Sequence, residues 1–431
     1  MPSNAYTTEL GFTLNDTDTC LSGLIHTCEE RPHLVLYYRP RNYEWVSVTA
    51  AEFLQEVYEV AKGLVAAGVE PGDRVAILSS TRYEWSLLDF AIWAAGAASV
   101  PIYPSSSMHQ IQWILEDSGA KIAFTETRDH TQLMSPFLLD ETGRPKFADS
   151  PSKLERIYEL NSAGVETIKF EGRDVEQSRI DERVRATRHA NLGSIVYTSG
   201  TTGKPKGAML SHANFLNLVQ SGNEADKPDW NKWTTDDVSL VAMPIFHIGG
   251  SGWGVMGLYH GARGVIAREF DPTKVLDFFE QSGITKLFMV PAAMQFVVRQ
   301  PRARQVDFSR LKYMLYGASP IPAALLKECI EVFKCGFVQM YGMTETTGTI
   351  VALPPEDHVE GLERMRSAGK AVAGVELAIL DENGKPLPPR EVGEIATRSG
   401  SNMTGYWNLP EATAKTIDGD GWLRTGDAGY M

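Results

Sequence analysis

The 431-residue chain has few cysteines and no excess of basic residues. Its four cysteines show no C-x-x-C spacing, so we expect a reduced, cytoplasmic chain without a disulfide framework. Lysine and arginine total 41 against 54 aspartates and glutamates, a net charge of −13, which argues against a nucleic-acid partner that needs a broad basic face. A small anionic ligand held by one local loop remains compatible with this balance.

Several sequence patterns of known enzyme chemistry are also missing. There is no H-E-x-x-H, no G-x-S-x-G and no paired Cys/His metal pattern, which sets aside the zinc-protease and serine-hydrolase chemistries that these patterns indicate. The N terminus lacks a basic-then-apolar run, so no signal peptide is expected. The range 90–115 carries no charge, but Pro101 and Pro104 interrupt it. These prolines predict a buried helix, strand and turn instead of a membrane helix.

The chain does contain two stretches in which helical and strand patterns alternate. In the first, an apolar stripe after Thr49 predicts a helix to Gly68, with Thr49 and Glu52 as its N-terminal cap. Strands are predicted at 74–78, 99–103, 121–125, 238–243, 264–267, 286–290, 313–316 and 337–340, mostly separated by helices. Such alternation predicts parallel sheets with right-handed crossovers.

These patterns predict an α/β fold with two doubly wound subdomains, whose sheets are mixed but mostly parallel, and a small β-rich subdomain. The predicted boundaries are 1–190, 191–352 and 353–431, and the second subdomain is expected to carry a phosphate loop. Residues 128–188 are more charged and less regular, so we expect an irregular excursion there. The β-rich prediction for the last part rests on short apolar runs separated by turns such as Asn383-Gly384.

The most informative stretch is Tyr197–Gly207, which reads Y-T-S-G-T-T-G-K-P-K-G and follows an apolar strand. Its glycines allow backbone N–H groups to turn toward a polyanion, and its hydroxyls and lysines add donors and positive charge. The common phosphate loop needs four residues between its first glycine and its Gly-Lys pair, whereas here only Thr201 and Thr202 intervene. We predict a polyphosphate-binding loop, with an ordinary solvated turn as the alternative.

Three further clusters lie where a nucleotide needs contacts. Tyr341–Thr346 (Y-G-M-T-E-T) follows a predicted strand, at the sheet edge where α/β proteins bind ligands. Here Tyr341 offers a flat face to a purine and Glu345 a hard oxygen to Mg²⁺. Gly317–Pro320 (G-A-S-P) leaves room for a flat base, and Asp427, in W-L-R-T-G-D, suits two ribose hydroxyls. Taken singly, each of these could also be an ordinary turn.

Together these motifs resemble those of the adenylate-forming superfamily, which includes acyl-CoA synthetases, luciferases and peptide-synthetase adenylation domains. The runs Leu78–Trp85 and Pro101–Ser107 resemble bacterial long-chain fatty acyl-CoA synthetases, and the part beyond Ser194 resembles fatty acyl-CoA ligases more generally. The resemblance implies an acid–CoA ligase: a fatty acid, with an aryl acid as the less favoured substrate, attacks the α-phosphate of MgATP, and the thiol of CoA then takes the acyl group.

The resemblance also implies roles for individual residues. Those implied in catalysis are Lys206, Thr344, Glu345 and His247, with Glu345 also holding Mg²⁺. Those implied in nucleotide binding are Thr198, Ser199, Gly200, Thr201, Thr202, Gly203, Lys204, Gly207, Gly317, Ala318, Ser319, Gln339, Tyr341, Gly342, Met343 and Asp427. Those implied in acyl binding are Phe246, His247, Gly249, Trp253 and Gly317.

The prediction of the acyl-binding residues rests on the run M-P-I-F-H-I-G-G at residues 243–250, at the end of a predicted strand. His247 is either a structural histidine or part of the entrance beside the reacting carboxylate. Four glycines, Gly249, Gly250, Gly252 and Gly254, are predicted to thin the following helix and leave space for an acyl chain. Long-chain members of the family place a gating tryptophan where Ser251 stands, two residues before Trp253.

Relatives continue past the W-x-x-T-G-D motif with a small domain of about a hundred residues, which carries a lysine used in adenylation. We therefore expect this chain to be the large domain, which binds ATP and acid, adenylates slowly if at all and barely forms thioester. Two alternatives stay open: an acyl-AMP-forming enzyme that hands its product to a carrier protein or to luciferase-type oxidation, and a non-catalytic fatty-acid or nucleotide-binding module. A homodimer and peripheral association with the inner face of the membrane are both compatible with the sequence.

Overall fold

Two large sheets and one small sheet organise the molecule in the computed structural model. The described residues are 5–9, 12–41, 44–144, 146, 150–198, 204–220, 228–359, 361 and 363–431. The helices are α1 (Ser22–Glu30), α2 (Ala50–Ala66), α3 (Tyr83–Ala94), α4 (Met108–Ser118), α5 (Arg128–Met134), α6 (Gly164–Glu171), α7 (Gln177–Ala186), α8 (His212–Gln220), α9 (Ile248–Tyr259), α10 (Pro272–Ser282), α11 (Pro291–Val298), α12 (Ala323–Phe333) and α13 (Pro410–Thr416).

The strands are short, as is usual for buried parallel sheets. They are β1 (Ala5–Thr7), β2 (Val35–Arg41), β3 (Glu44–Thr49), β4 (Arg74–Leu78), β5 (Ala98–Ile102), β6 (Ile122–Thr125), β7 (Arg156–Glu159), β8 (Leu192–Thr198), β9 (Lys206–Ser211), β10 (Val238–Val241), β11 (Arg263–Ile266), β12 (Lys286–Met289), β13 (Tyr313–Gly317), β14 (Gly336–Met343), β15 (Gly348–Leu353), β16 (Lys370–Ala371), β17 (Val375–Leu380), β18 (Gly393–Ser399), β19 (Gly405–Tyr406) and β20 (Leu423–Gly429).

The first sheet has seven strands in the order β19-β9-β8-β5-β4-β6-β7, and the second has nine in the order β16-β15-β14-β13-β12-β10-β11-β2-β3. Strands β4 to β8 and β10 to β14 run parallel within their own sheets. The third sheet is antiparallel, with the order β1-β17-β18-β20. The predicted α/β class, with two doubly wound parts and a β-rich part, is confirmed.

The sheets do not follow the predicted division of the chain. The hairpin β8–β9, which carries the phosphate loop, belongs to the first sheet and not to the second. Strands β2 and β3 join the second sheet, because β2 pairs with β11, and β1 joins the third. Local patterns fix where a strand forms, but pairing depends on contacts between segments far apart in sequence.

Most predicted elements form where their patterns placed them. Thr49 caps α2 together with Glu52 in a reciprocal capping box. The prediction of an irregular excursion at 128–188 is wrong, because its described residues include α5, β7, α6 and α7, and β7 extends the first sheet beside β6. High charge misled the prediction there: α7 has only Ile180 and Arg183 buried, so its apolar stripe is too narrow to stand out.

The principal core lies between the two large sheets. Helix α3 is buried along almost its whole length, with Trp85 and Phe90 packed in one cluster with Phe53 of α2. The uncharged range 90–115 forms the end of α3, then β5, a turn and the start of α4, as predicted. Among the described residues, no helix combines the length and the apolar character that crossing a membrane requires.

Candidate functional site

The carboxyl ends of parallel strands from the first and second sheets face each other. Thr198 is the last residue of β8, and Glu345 lies in the short 3₁₀ turn that follows β14. The hydroxyl of Thr198 donates a hydrogen bond of 3.4 Å to Oε1 of Glu345. Open α/β sheets bind ligands at this edge, so the structure places the end of the predicted phosphate loop beside the predicted metal ligand.

The predicted phosphate loop is described only at its two ends. Ser199, Gly200, Thr201, Thr202 and Gly203 lie outside the described residues. At the far end, Nζ of Lys204 lies 3.9 Å from the centre of the Trp113 ring, and Nζ of Lys206 lies 4.3 Å from that of Tyr406. Both ammonium groups therefore rest on the faces of aromatic rings, which attract cations.

Glu345 is a buried carboxylate, only 6% exposed. Tyr406 donates a hydrogen bond of 2.8 Å to Oε1, the same oxygen that Thr198 contacts. Within the described part of the chain, Oε2 receives no hydrogen bond. One carboxylate oxygen beside a phosphate loop fits Mg²⁺, which is commonly held by one or two carboxylates and the phosphates of its substrate. Groups of three or more metal-ligating side chains are absent from the described residues, so a fully protein-held metal is not seen there.

The third sheet also contributes to this site. The hydroxyl of Tyr341, on β14, donates a hydrogen bond of 2.8 Å to Oδ2 of Asp427 on β20. Burial raises the pKa of Tyr341, so the phenol stays protonated and can donate. Asp427 itself is exposed. The structure thus pairs the residue predicted to face the base with the residue predicted to hold the ribose.

The remaining predicted nucleotide contacts lie on neighbouring strand ends. Gly317 ends β13 so close to β14 that a Cβ at this position would lie 2.1 Å from the carbonyl oxygen of Met340. Ala318 follows with φ of 63°, in the left-handed region, and is exposed together with Ser319. The side chain of Gln339 instead accepts a hydrogen bond from Tyr316 at 3.3 Å, so it is engaged in the sheet.

An apolar cavity of about 110 Å³ adjoins these residues. It is lined by residues of α8, α9, β12, β14, β15 and the turn after β13: Leu218, Ile248, Gly249, Gly252, Trp253, Met256, Phe288, Ala318, Met340, Gly342, Met343, Gly348 and Thr349. Ala318, Gly342 and Met343 therefore border both the predicted nucleotide site and the cavity. This arrangement sets an apolar space directly beside the predicted phosphate and base contacts.

Only two of the four glycines predicted to thin α9 face the cavity. Gly249 and Gly252 line it, because residues three apart share a helix face. Gly250 points elsewhere, and a Cβ there would lie 2.1 Å from the carbonyl oxygen of Pro244. A Cβ on Gly254 would meet Val241 of β10 at 3.8 Å. The prediction that all four make room for a chain is therefore wrong for Gly250 and Gly254.

Trp253 lines the cavity but is also fixed to the second sheet. It is 6% exposed, its indole N–H donates to the carbonyl oxygen of Leu240 at 3.1 Å, and its ring lies 5.0 Å from that of Trp233. Ser251 donates to the carbonyl oxygen of His247 at 3.1 Å, one turn earlier. Trp253 therefore forms a fixed wall of the cavity.

Phe246 and His247 lie beside the cavity instead of in its lining. Nδ1 of His247 lies 3.0 Å from the hydroxyl of Tyr103, and the two rings are 4.4 Å apart. Phe246 packs against Tyr103 at 5.2 Å and Trp85 at 6.3 Å. His247 reaches solvent at one edge, but loss of hydration on the packed face lowers its pKa, which favours the neutral ring.

Sequence reasoning missed two tyrosines at this site. Tyr103 follows β5, on the sheet edge that Thr198 shares, so the strand-end rule could have identified it. Tyr406 lies in β19, a two-residue strand that pairs with β9. No local signal marks Tyr406, because its partners Glu345 and Lys206 are distant in the chain.

Comparison with known proteins agrees with this geometry. The sequence pattern of the family described as AMP-binding enzyme matches residues 25–407, and the chain belongs to this family. The family match supports the adenylate-forming class that the sequence motifs indicated.

Individual relatives extend the comparison. The chain is 34% identical over 385 residues to the fatty acid–[acyl-carrier-protein] ligase ScoC of Streptomyces coeruleorubidus, covering 89% of this chain and 70% of the relative. It is 28% identical to the long-chain-fatty-acid–CoA ligase FadD15 of Mycobacterium bovis, covering 97% and 73%. The inhibitor-bound N-terminal domain of FACL13 from Mycobacterium tuberculosis superposes with a TM-score of 0.82 at 27% identity, covering 96% of each chain.

Proposed function

We propose that this chain activates a fatty acid by adenylation and passes the acyl group to CoA. The acid's carboxylate attacks the α-phosphate of ATP, pyrophosphate leaves, and the thiol of CoA then displaces AMP from the acyl-adenylate. The observation that carries the proposal is the position of Glu345. It accepts a hydrogen bond from Thr198 at the end of the predicted phosphate loop, and Met343, two residues before it, lines the apolar cavity. The two relatives named for fatty acid ligation support the choice of acid.

On this proposal the polar residues position ATP and neutralise its charge, which is the main requirement of such a displacement. The loop hydroxyls and amides, with Lys204 and Lys206, hold the outer phosphates, and Thr344 holds the α-phosphate. Glu345 would hold Mg²⁺. When bound, the metal would supply positive charge that offsets the negative charge of the phosphates. Asp427 accepts the ribose hydroxyls, and Tyr341 with Gly317, Ala318 and Ser319 frames the adenine.

The cavity takes the first part of the acyl chain, with His247 and Phe246 beside the reacting carboxylate. Its volume of about 110 Å³ is below the roughly 300 Å³ at which pockets for drug-sized ligands begin. A long chain therefore requires more space than this cavity offers. We propose a long-chain acid as the substrate, because FadD15 is named for one, and the size of the cavity makes chain length the property to measure.

The direct test is ATP–pyrophosphate exchange by this chain with acids of graded length and with an aryl acid, alongside calorimetric ATP binding. We expect ATP binding in the presence of Mg²⁺, and exchange that depends on a fatty acid and is abolished in Glu345→Gln. Exposed Glu356 provides the matched control, Glu356→Gln, which should behave as wild type. ATP binding without exchange for any acid would contradict the ligase and favour a binding module.

The acceptor is tested separately, because ScoC is named for a carrier protein. Preformed acyl-adenylate is offered with CoA or with an acyl carrier protein, and the thioester formed is measured. We expect a low yield of thioester, formed with CoA. Thioester only with the carrier protein would leave the adenylation step intact and overturn the proposed acceptor.

A further inference from the structure

Tyr406 joins the two charged groups of the candidate site, although neither is near it in sequence. Its hydroxyl donates to Oε1 of Glu345 at 2.8 Å, and the ammonium of Lys206 lies over its ring at 4.3 Å. The side chain is 5% exposed. One aromatic residue therefore contacts both the predicted metal ligand and the predicted phosphate-binding lysine.

The backbone around Tyr406 fixes this position. Strand β19 pairs with β9, placing Tyr406 opposite Ala208. Before Tyr406 in the chain, the N–H of Met403 donates to the carbonyl oxygen of Glu345 at 2.8 Å. After it, the N–H of Trp407 donates to the carbonyl oxygen of Gly207 at 2.8 Å. The segment is thus tied to both the turn that carries Glu345 and the strand that carries Lys206.

The charges explain why such a residue matters. Lys206 and Glu345 carry opposite charges, and a direct ion pair would consume the charge that each offers to a ligand. Neither forms an ion pair with another described residue. Tyr406 instead stabilises the ammonium with its ring face and the carboxylate with its hydroxyl.

We propose that Tyr406 is a positioning residue that orients Glu345 toward the metal and Lys206 toward the phosphates. By occupying Oε1, it leaves Oε2 of Glu345 as the oxygen that holds Mg²⁺. By holding the ammonium on its ring, it keeps Lys206 apart from Glu345 until ATP binds. This inference rests on the proposed function, because it assigns a partner to the ATP-binding residues.

Two substitutions separate the two contacts. Tyr406→Phe keeps the ring face and removes the hydroxyl, whereas Tyr406→Leu removes both. The measurement is calorimetric binding of ATP, first with excess EDTA and then over a graded series of Mg²⁺ concentrations. Tyr6→Phe, on exposed Tyr6 of β1, controls for loss of a phenol elsewhere, and thermal unfolding of every variant controls for folding.

For Tyr406→Phe we expect the Mg²⁺ concentration at half-maximal binding to rise about tenfold, as for loss of a hydrogen bond to a charged group. ATP affinity in EDTA should stay at the wild-type value. Tyr406→Leu should also weaken ATP binding in EDTA, by about threefold, as for loss of a cation–π contact. In a Glu345→Gln background, Tyr406→Phe should change the Mg²⁺ dependence no further.

The results that overturn the inference are equally specific. An unchanged Mg²⁺ midpoint in Tyr406→Phe would refute the positioning role while leaving the proposed function in place. Equal losses with and without Mg²⁺, together with a lower unfolding temperature, would show that Tyr406 only supports the fold. Failure of the wild-type chain to bind ATP at all would instead refute the proposed function.

Discussion

The polar and apolar ends of the candidate site are built in different ways. At the polar end, a few directional hydrogen bonds join side chains from different sheets, as with Thr198 and Glu345 or Tyr341 and Asp427. At the apolar end, the cavity exists because Gly249 and Gly252 leave side-chain volume unfilled on one face of α9. Chemistry at the polar end depends on particular side-chain atoms. Space at the apolar end depends on the lack of side chains at Gly249 and Gly252.

This contrast teaches that the two ends should respond differently to substitution. A substitution that removes the charge of Glu345 should abolish ATP–pyrophosphate exchange without filling the cavity. A larger residue on the cavity face of α9 should block binding of the acid and leave ATP binding unchanged. Four substitutions test this separation, beginning with the largest expected effect.

Glu345→Gln should have the largest effect on catalysis. It keeps the size of the side chain but removes the charge that neutralises Mg²⁺, so we expect at least about a 100-fold fall in ATP–pyrophosphate exchange, as for other preorganised electrostatic contacts. Fatty-acid binding, measured by displacement of a fluorescent acid, should stay within twofold of wild type. Loss of both together would show that the two ends are not separable.

Gly252→Leu should block the apolar end. A Cβ there would meet Leu218 at an ordinary 3.4 Å, and leucine favours a helix over glycine by about 1 kcal/mol, so α9 should still form. The rest of the side chain extends into the cavity, and we expect fatty-acid affinity to fall about tenfold, as for a clash or lost burial worth about 1.4 kcal/mol.

The matched control for this change is Gly254→Ala on the same helix, which faces Val241 of β10 and not the cavity. It should leave acid affinity unchanged, and both variants should bind MgATP as wild type does. Weaker ATP binding in Gly252→Leu alone would contradict the separation of the two ends.

Tyr103→Phe, at the junction of the polar and apolar ends, should have a smaller effect on use of the acid. Burial raises the pKa of Tyr103 to about 12, so its hydroxyl stays protonated. It lies 3.0 Å from Nδ1 of His247 and donates to the carbonyl oxygen of Tyr197 at 3.4 Å. Because burial lowers the pKa of His247, we expect that pKa to stay below its usual value in Tyr103→Phe, measured by NMR titration with His247→Gln for assignment. The KM for acid should rise about fivefold, as for one lost hydrogen bond. Tyr38→Phe, on the exposed ring of β2, should change neither quantity.

Asp89→Asn should affect neither end of the candidate site and should change only the free energy of unfolding. Burial raises the pKa of Asp89 to about 7 from 3.8, so the native state holds its proton more tightly than the unfolded chain. This carboxyl therefore reduces stability progressively as pH rises from about 4 to about 7. We expect the substitution to raise the free energy of unfolding by roughly 4 kcal/mol at pH 8 and by little at pH 4.

Urea unfolding at both pH values measures this effect. Asp236→Asn, at an exposed position, should show no such pH dependence. A gain in stability that is equal at pH 4 and pH 8 would mean that the charge of Asp89 is not its cause. Exchange activity should be unchanged in either variant.

The polar end could largely be predicted from the sequence, because its side chains lie in short runs that follow strands. Glu345 was assigned to the site because it follows a strand and stands in a family motif, and Thr198 because of the family resemblance. The structure brings them within 3.4 Å. The apolar end was predicted less well. Four glycines in α9 look equivalent in sequence, yet only Gly249 and Gly252 face the cavity, since the orientation of the helix is set by packing.

The sequence by itself determined the α/β class, the positions of most strands and helices, and the residue types at the strand ends. Their side-chain periodicity and turn chemistry act over a few residues, so they can be read locally. Only the tertiary structure decided that the hairpin β8–β9 joins the first sheet and that Tyr406 reaches Glu345 and Lys206. These contacts join segments far apart in the chain, and the packing of whole sheets, which no local pattern encodes, selects among such pairings.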